Sequence, residues 1–374
     1  MTSPRTLVLG SGIVGSAAAW DLVRRGHDVT LADRRLEVLT DHATRLDVVA
    51  AKVDVVDSDA VTELIAGHDA VISAVPYSFG VPLATAAVAA GAHYADFGGN
   101  PTVVKRQLEL ATAATAAGVA VVPDCGLAPG LANVLAADMI AALEPGRVDS
   151  VQLRVGALPQ VPTGALGYQL TFSPQGLINE YAEPCEVLED GVVAEVDPVS
   201  RFETVEWVGW GPLEAFSTAG GTSTLCHDYA GRVTALEYKT LRFPGHGTTL
   251  RSMSELGLFD EEPWDVGGVP ISPRAVLIEA LASHLPQGAP DVVLLRVWAT
   301  QGPRHVGVEM VDRSDGQFSA LARTTAFPAT ALIDLLVRDE LSLQGAYAMP
   351  QAVSGPQLLP ELEAVGITVV PLTK

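Results

Sequence analysis

Residues 6–35 have the sequence TLVLGSGIVGSAAAWDLVRRGHDVTLADRR, and this stretch decides the fold. A short apolar strand leads into glycines with the spacing G-x-G-x-x-G, and helix-forming residues follow until Gly26. Such glycines allow a tight turn, close approach of a pyrophosphate to the backbone, and close packing of the helix on the strand. The amides at the start of the helix attract phosphate. The stretch therefore predicts a dinucleotide site formed by Gly10, Gly12, Ile13, Val14 and Gly15.

The second strand of this unit ends in an acid, Asp33. In dinucleotide-binding folds, a carboxylate about 20 residues after the glycines accepts hydrogen bonds from the adenosine ribose. Its charge would repel the 2′-phosphate of NADP, whereas the adjacent Arg34 and Arg35 could bind that phosphate. NAD is therefore the predicted cofactor, and NADP is the alternative.

Strand and helix patterns continue to alternate up to about residue 130. Six apolar strands are predicted here, each followed by a helix, which indicates a doubly wound parallel sheet. Such sheets bind ligands at the carboxyl ends of their strands. Either Asp96 or Asp124 could act as a base or hold an ammonium group, and Tyr77 could orient an amine or pack as a wall. The candidates at these strand ends are Asp54, Val75 and Pro76 for the cofactor, and Tyr77, Asp96 and Asp124 for catalysis.

The pattern changes near residue 145. Segments such as VDSVQLRVG (148–156) and ALEYKTLRF (235–243) alternate apolar and polar residues, as half-buried strands do. They predict a second, α+β domain with a mixed or antiparallel sheet. The predicted boundaries are 1–130 for the dinucleotide-binding domain, 131–335 for a domain of substrate binding and oligomerisation, and 336–374 for a tail that returns to the first domain.

Composition argues against several classes of function. The net charge of -21 would repel the phosphates of nucleic acid. No apolar segment of membrane-spanning length is expected, and no cationic leader precedes the first strand. Cys125, Cys185 and Cys226 have neither paired nor metal-ligand spacing. These features predict a cytoplasmic protein with free thiols, no metal, no nucleic-acid partner and no membrane contact.

Seven motifs along the chain carry a resemblance to a known family: GSGIVG at 10–15, VPYSFG at 75–80, DFGG at 96–99, PDCGLAPG at 123–130, FSPQGLINEY at 172–181, GPLEAFSTAGGTSTL at 211–225 and LEYKTLRFPGH at 236–246. In this order they resemble the saccharopine dehydrogenase-like family and, within it, the bacterial L-lysine 6-dehydrogenases most. The resemblance covers nearly the whole chain. It implies a Rossmann domain followed by an α+β domain, NAD(P) as cofactor, a small amino acid as substrate, and a homodimer or larger homo-oligomer.

The resemblance implies hydride transfer from a carbon that bears an amine. For L-lysine this is oxidative deamination at the ε-amine, which yields ammonia and 2-aminoadipate 6-semialdehyde, and the semialdehyde cyclises to piperideine-6-carboxylate. Saccharopine reductases carry Asp where this chain has Ala128, and the missing carboxylate argues for a smaller substrate. Saccharopine or a carboxylated polyamine adduct is the alternative substrate. A protein that senses NAD(P) without turnover is the alternative of another class.

An amine dehydrogenase needs a base and anchors for the carboxylate and ammonium groups of its substrate. Lys239, Arg242 and His246 are cations of the second domain that could bind a carboxylate, and the resemblance favours Lys239 and His246 as catalytic residues. In a regular strand Lys239 and Arg242 face opposite sides, so at most one of them is expected to face the substrate. The predicted substrate-binding residues are Glu180, Glu214, Thr218, Arg242 and Thr222.

Overall fold

The computed structural model describes residues 3–372. The chain divides into two compact units. The first unit contains the chain up to residue 138 together with residues 322–368, and the second contains residues 139–321 together with the chain from residue 369 onward. Each unit contains a large β-sheet of its own.

The strands were numbered in chain order. They are β1 (Arg5–Leu9), β2 (Asp28–Asp33), β3 (Val49–Lys52), β4 (Ala70–Ser73), β5 (His93–Asp96), β6 (Ala120–Val122), β7 (Val148–Pro159), β8 (Cys185–Glu189), β9 (Val192–Val196), β10 (Glu203–Trp207), β11 (Gly211–Ser217), β12 (Val233–Arg242), β13 (Trp264–Val266), β14 (Val269–Ile271), β15 (Asp291–Gln301), β16 (Arg304–Arg313), β17 (Gly345–Ala346) and β18 (Val369–Pro371).

The helices were numbered in the same way, and a short 3-10 turn, Tyr77–Phe79, lies between β4 and the fourth helix. They are α1 (Ile13–Arg24), α2 (Leu36–Leu46), α3 (Ser58–Ile65), α4 (Gly80–Ala90), α5 (Pro101–Leu108), α6 (Ala111–Ala117), α7 (Leu131–Leu143), α8 (Pro174–Ala182), α9 (Leu225–Asp228), α10 (His246–Glu255), α11 (Pro273–His284), α12 (Ala320–Val337), α13 (Met349–Ala352) and α14 (Gly355–Glu363).

The sheet of the first unit has the strand order β17-β6-β5-β4-β1-β2-β3. Its neighbouring strands pair in parallel, so the predicted doubly wound parallel sheet is confirmed. Leu7, Leu9 and Val71 are fully buried, as continuous apolar strands of a sheet covered on both faces should be. The seventh strand, β17, has two residues and was not predicted, because so short a segment carries no periodicity.

The sheet of the second unit is mixed, as predicted. Its main path runs β10-β11-β12-β7-β15-β16-β18, and the hairpin of β8 and β9 branches from β12. Strands β12 and β7 pair in parallel, whereas β11, β15 and β16 join antiparallel neighbours. The parallel pair sets Lys239 of β12 beside Arg154 of β7, which determines the surroundings of Lys239.

The boundaries of the units differ from the predicted ones. Helix α7 begins in the first unit, and most of α12 belongs to it as well. The reason for α12 is burial, because Phe327 stacks on Trp20 with ring centroids 5.9 Å apart and Asp334 is bonded to His27. The prediction for the tail is wrong for β18, which pairs with the edge strand β16 of the second sheet.

Helix α12 also corrects the expectation about membrane-spanning length. Within residues 3–372 it is the one helix long and apolar enough, by length and composition alone, to cross a bilayer. Of its residues, 83% are buried inside the structure, as expected for a core helix. Arg323 and Asp334 interrupt its apolar sequence, which is why no unbroken apolar run marks it. The three cysteines are buried and free, as predicted.

Candidate functional site

The glycine turn between β1 and α1 leaves no room for side chains at two of its three glycines. A Cβ atom on Gly10 would lie 2.6 Å from the carbonyl oxygen of Ala74, and one on Gly15 would lie 1.9 Å from that of Gly10. A Cβ atom on Gly12 would meet nothing within 4 Å, so the backbone there is open to a ligand. No side chain caps α1 at Gly12, and the first-turn amides have no intrahelical acceptors. This cradle fits a pyrophosphate.

Asp33 lies at the carboxyl end of β2, where the sequence predicts a ribose-binding acid. Its Oδ2 accepts hydrogen bonds from the amide (2.9 Å) and hydroxyl (2.8 Å) of Ser11, and its Oδ1 accepts one from the amide of Arg35 (3.0 Å). Burial alone would raise the pKa of Asp33, but these hydrogen bonds lower it to about 2. The side chain is therefore a fixed anion at neutral pH. Arg34 and Arg35 beside it are exposed.

The other residues predicted to contact the cofactor have simpler surroundings. Val75 lies next to the glycine turn, since its Cγ1 is 3.3 Å from the place of a Cβ on Gly10. Pro76 is exposed and precedes the 3-10 turn. Asp54 is exposed and accepts a hydrogen bond from the amide of Val56 (3.1 Å), which closes its own turn. We therefore interpret Asp54 as a turn residue.

Tyr77 opens the 3-10 turn that follows β4. Its ring lies beside the next loop, because a Cβ on Gly99 would be 3.5 Å from the Cδ1 of Tyr77. The side chain is 37% exposed. Its hydroxyl takes part in no hydrogen bond with residues 3–372, so the role of orienting an amine stays a prediction.

Asp96, predicted as a possible base, has its carboxylate occupied by protein donors. Its Oδ2 accepts from the Tyr94 hydroxyl (3.0 Å) and the Gln107 side chain (2.6 Å), and its Oδ1 from the amides of Gly98 (2.9 Å) and Asp124 (3.1 Å). Burial raises its pKa, and these bonds oppose the rise. Four donors leave little room for a substrate, so the structure argues that Asp96 is a positioning residue that joins the loops after β5 and β6.

Asp124 stays a candidate for contact with the substrate. It is buried and has a φ of 60°, which is uncommon for a residue other than glycine and is typical of functional sites. Its Oδ1 fills the space over Gly98, where a Cβ would lie 1.4 Å away. The DFGG and PDCG motifs are thereby held together, which explains why position 98 requires glycine.

Lys239 is not available to a substrate, and this prediction is wrong. Its Nζ lies 3.1 Å from an oxygen of Glu203 and 3.5 Å from one of Glu237. The guanidinium of Arg154, fully buried, bonds to the same two carboxylates. These four residues form a closed cluster, which we call the ion cluster. Lys239 belongs to it because β12 and β7 pair in the register that sets Lys239 beside Arg154.

Arg242 faces the other side of β12, as predicted, and begins a chain of hydrogen bonds. Its Nε donates to the hydroxyl oxygen of Tyr181 (3.0 Å). The Nδ1 of His246 lies 3.2 Å from the carbonyl oxygen of Leu166, which can only accept, so Nδ1 carries the proton. The Nε2 of His246 then accepts from the Tyr181 hydroxyl (3.0 Å). The chain fixes the orientation of the guanidinium.

His246 is neutral and cannot bind a carboxylate as a cation, which corrects its predicted role. Burial, and secondarily the charge of Arg242, lowers the pKa of His246 to about 3. Both ring nitrogens are occupied, and the side chain is 1% exposed. His246 is a positioning residue that holds Tyr181 under Arg242.

Glu180 lies on α8, which Ser173 caps by accepting a hydrogen bond from the amide of Gly176. Burial raises the pKa of Glu180 to about 7, and the charge of Arg242 opposes that rise. The carboxylate accepts no hydrogen bond from any residue between 3 and 372. The sequence predicts Glu180 to bind substrate, and this role stays a prediction.

The remaining predicted substrate residues have different outcomes. The hydroxyl of Thr218 is 2.7 Å from that of Thr240, which shares a face of β12 with Arg242. Thr222 is buried, and its hydroxyl donates to the carbonyl oxygen of Glu186 (3.4 Å). Glu214 accepts hydrogen bonds from the amides of Gly245 (3.0 Å) and Gly247 at the start of α10. Glu214 is thus a helix cap, which contradicts its predicted role.

Two aromatic residues near Arg242 were not predicted. The guanidinium of Arg242 lies 4.9 Å from the ring centre of Tyr168. The ring of Tyr238 fills the space where a Cβ on Gly221 would lie. Alternation along β12 could have identified Tyr238, whereas Tyr168 lies in a loop without periodicity. No metal-binding group of three or more His, Cys, Asp or Glu occurs in the described part of the chain.

Family models match both parts of the chain. Residues 6–122 match the saccharopine dehydrogenase NADP binding domain, and residues 126–367 match the saccharopine dehydrogenase C-terminal domain. The chain belongs to the saccharopine dehydrogenase family. The cofactor of its first unit is NAD(P), in agreement with the glycine cradle.

Curated relatives are similar at a moderate level. Saccharopine dehydrogenase (NADP(+), L-glutamate-forming) of Schizosaccharomyces pombe is 26% identical over 267 residues, which cover 69% of this chain and 59% of the relative. The mitochondrial alpha-aminoadipic semialdehyde synthase of Rattus norvegicus is 26% identical over 274 residues, which cover 70% of this chain and 29% of the relative. The chain thus matches less than two thirds of either protein.

A solved structure shows the same fold. The apo, histidine-tagged saccharopine dehydrogenase (L-Glu forming) of Saccharomyces cerevisiae superimposes with a TM-score of 0.79 at 18% identity and covers 99% of this chain and 100% of that one. This likeness supports the two-sheet architecture of the family and does not bear on the substrate.

Proposed function

We propose that this protein is an NAD(P)-dependent oxidoreductase that deaminates the ε-amine of L-lysine, releasing ammonia and 2-aminoadipate 6-semialdehyde, which cyclises to piperideine-6-carboxylate. One observation carries the proposal. On one face of β12 the fixed cation of Arg242 lies near Glu180, a carboxylate that accepts no hydrogen bond from the described residues. A cation and an acid on one surface suit a substrate that has both a carboxylate and an amine.

The residues of this face divide the binding tasks. Arg242 donates through Nε to Tyr181 and through Nη1 to the carbonyl oxygen of Leu241 (2.9 Å). Its Nη2 donates no hydrogen bond within residues 3–372 and can bind a substrate carboxylate. Tyr168 covers the guanidinium, and the hydroxyls of Thr218 and Thr240 add polar groups nearby. When bound, the dinucleotide supplies the acceptor for the hydride.

We further propose that NAD is preferred over NADP. Asp33 is a fixed anion at the end of β2, and a 2′-phosphate placed there would be repelled. Two observations oppose a preference for NAD. Arg34 and Arg35 are exposed beside Asp33 and could bind a 2′-phosphate, and the name of the relative specifies NADP. Rates with the two dinucleotides at equal concentration decide the matter, and faster turnover with NADP would reject the preference.

The alternative substrate is saccharopine or a carboxylated polyamine adduct. The names of the relatives favour it. Ala128 argues against saccharopine as the substrate, because this position lacks the carboxylate that the saccharopine reductases carry there. A protein that senses NAD(P) without turnover is the alternative of another class. A homodimer or larger homo-oligomer in the cytoplasm stays a prediction.

The deciding experiment incubates the purified protein with NAD and a panel of amines and measures both reduced nicotinamide and free ammonia. We expect lysine to give the two products in equal amounts. If saccharopine reduces the nicotinamide and releases glutamate but no ammonia, saccharopine is the substrate. Tight binding of the dinucleotide without turnover on any amine would select the sensing protein.

A further inference from the structure

We propose that Glu180 is the general base of the reaction and takes the proton from the ammonium group of the substrate that is to be oxidised. This inference rests on the proposed function in one respect, namely that the substrate is an amine. It differs from the sequence-based prediction, which offers Asp96 and Asp124 equally for the role. The argument is one of hydrogen-bonding capacity, because a base must have a lone pair to receive a proton.

The other carboxylates near β12 already have charged or amide donors as partners. Glu203 and Glu237 are bonded to Arg154 and Lys239 in the ion cluster. Glu214 accepts two amides at the start of α10. Glu180, in contrast, is half-buried on α8, and its carboxylate accepts no hydrogen bond from the described residues. Its backbone carbonyl accepts from the amide of Ala219 (2.9 Å), which fixes the position of the residue.

The charged and titratable groups around Glu180 come from four segments, and none of the others changes its charge near neutral pH. Burial raises the pKa of Tyr168 and Tyr181, and it raises that of Tyr238 to about 12, so all three phenols stay protonated. Arg242 stays charged and His246 stays neutral. The pKa of Glu180, about 7, makes it the group of this set that can exchange a proton there.

The proton transfer is balanced between two groups. One N–H bond of the substrate ammonium breaks, its electron pair remains on nitrogen, and an O–H bond forms on the carboxylate of Glu180. The amine gains the lone pair that its oxidation requires, and Glu180 becomes neutral. Arg242 next to it lowers the cost of the charged carboxylate before the transfer and binds the carboxylate of the substrate. Water takes the proton from Glu180 before the next turnover.

The first test uses the protein without cofactor. Infrared difference spectra recorded across pH 5 to 9 should show a carboxyl signal that titrates near 7 and belongs to Glu180. That signal should vanish in Glu180→Gln and persist in Glu183→Gln, which alters an exposed acid next to the same helix. Persistence of the signal in Glu180→Gln would overturn the assignment. Because no substrate is added, failure of lysine turnover would reject the proposed function and leave this result standing.

The second test is kinetic. Glu180→Gln should lower kcat by about 10²-fold or more with a small change in KM, and it should abolish the rise of kcat with pH through about 7. Glu180→Asp should recover part of the rate, and Glu183→Gln should behave as wild type. A thermal unfolding transition no lower than that of wild type shows that the variant is folded. A residual rate that keeps the wild-type pH profile would overturn the proposal.

Discussion

Strand β12 buries a cation on each of its two faces, and the two faces differ in how their hydrogen-bonding capacity is used. On one face, Lys239 and Arg154 are paired with Glu203 and Glu237, so two cations meet two acids within the ion cluster. On the other face, Arg242 is held by Tyr181, but Glu180 near it accepts no hydrogen bond from the described residues.

The difference separates a structural role from the binding role that we propose. A closed cluster offsets the cost of burying its own charges and offers nothing to a ligand. A fixed cation beside an unengaged carboxylate leaves part of that cost uncompensated, and a substrate with the opposite charges can supply the missing partners. Burial alone does not distinguish the two cases, since Lys239 and Arg242 are 5% and 3% exposed.

The largest effect is expected from Arg242→Lys. Lysine keeps the charge but loses the planar fork, and with it the bond from Nε to Tyr181 and the free Nη2. We expect kcat/KM for lysine to fall about 10²- to 10³-fold, the loss typical of a truncated buried charge contact. Steady-state kinetics measures it. Arg251→Lys, at an exposed arginine of α10, is the control and should leave the kinetics unchanged.

If Arg242→Lys lowers kcat/KM for lysine by less than tenfold, the proposed difference between the two faces of β12 is contradicted. That result would mean that the face with Glu180 does not bind the substrate.

The next effect is expected on stability. Lys239→Met removes one cation from the ion cluster and leaves Glu203 and Glu237 with Arg154 alone. We expect the free energy of unfolding to fall by about 2–3 kcal/mol, below the usual cost for a fully buried pair because Glu203 is 34% exposed. Chemical denaturation measures it, and the exposed Lys105→Met is the control.

The kinetics of Lys239→Met complete the test. Because the ion cluster is closed, kcat and KM should stay within about twofold of wild type under conditions where the variant is folded. A large rise in KM without loss of stability would indicate that Lys239 binds the substrate.

The fold could be predicted from the sequence because its determinants are local. Gly10 and Gly15 are required by contacts within a few residues or with the neighbouring strand, and continuous apolar strands indicate a sheet covered on both faces. The boundaries of the units could not be predicted in the same way. Helices α7 and α12 are apolar on most of their surface, so their sequence does not indicate which sheet they cover.

The arrangement of the candidate site residues could be predicted only where it depends on local sequence. Alternation along β12 places Lys239 and Arg242 on opposite faces, and the structure agrees. Which face is closed depends on Arg154, which reaches Lys239 through the register of β12 and β7 and is far away in the sequence. The roles of Asp96 and Glu214 likewise depend on donors in neighbouring loops, which no spacing within a motif reveals.

The smallest expected effect is on stability again, and it has the opposite sign. Burial raises the pKa of Glu180 from an ordinary value of 4.5 to about 7. Between these values the folded protein holds a proton that the unfolded chain has released, so the contribution of Glu180 to stability is present below pH 4.5 and lost as the pH rises through 7. Glu180→Gln stays neutral. It should therefore exceed wild type by on the order of 1–2 kcal/mol at pH 8 and match it near pH 4.5 in chemical denaturation, whereas Glu183→Gln should show no such pH dependence. If Glu180→Gln is less stable than wild type at pH 8, the carboxylate of Glu180 must already be paired in the folded wild-type protein. The two faces of β12 would then be alike.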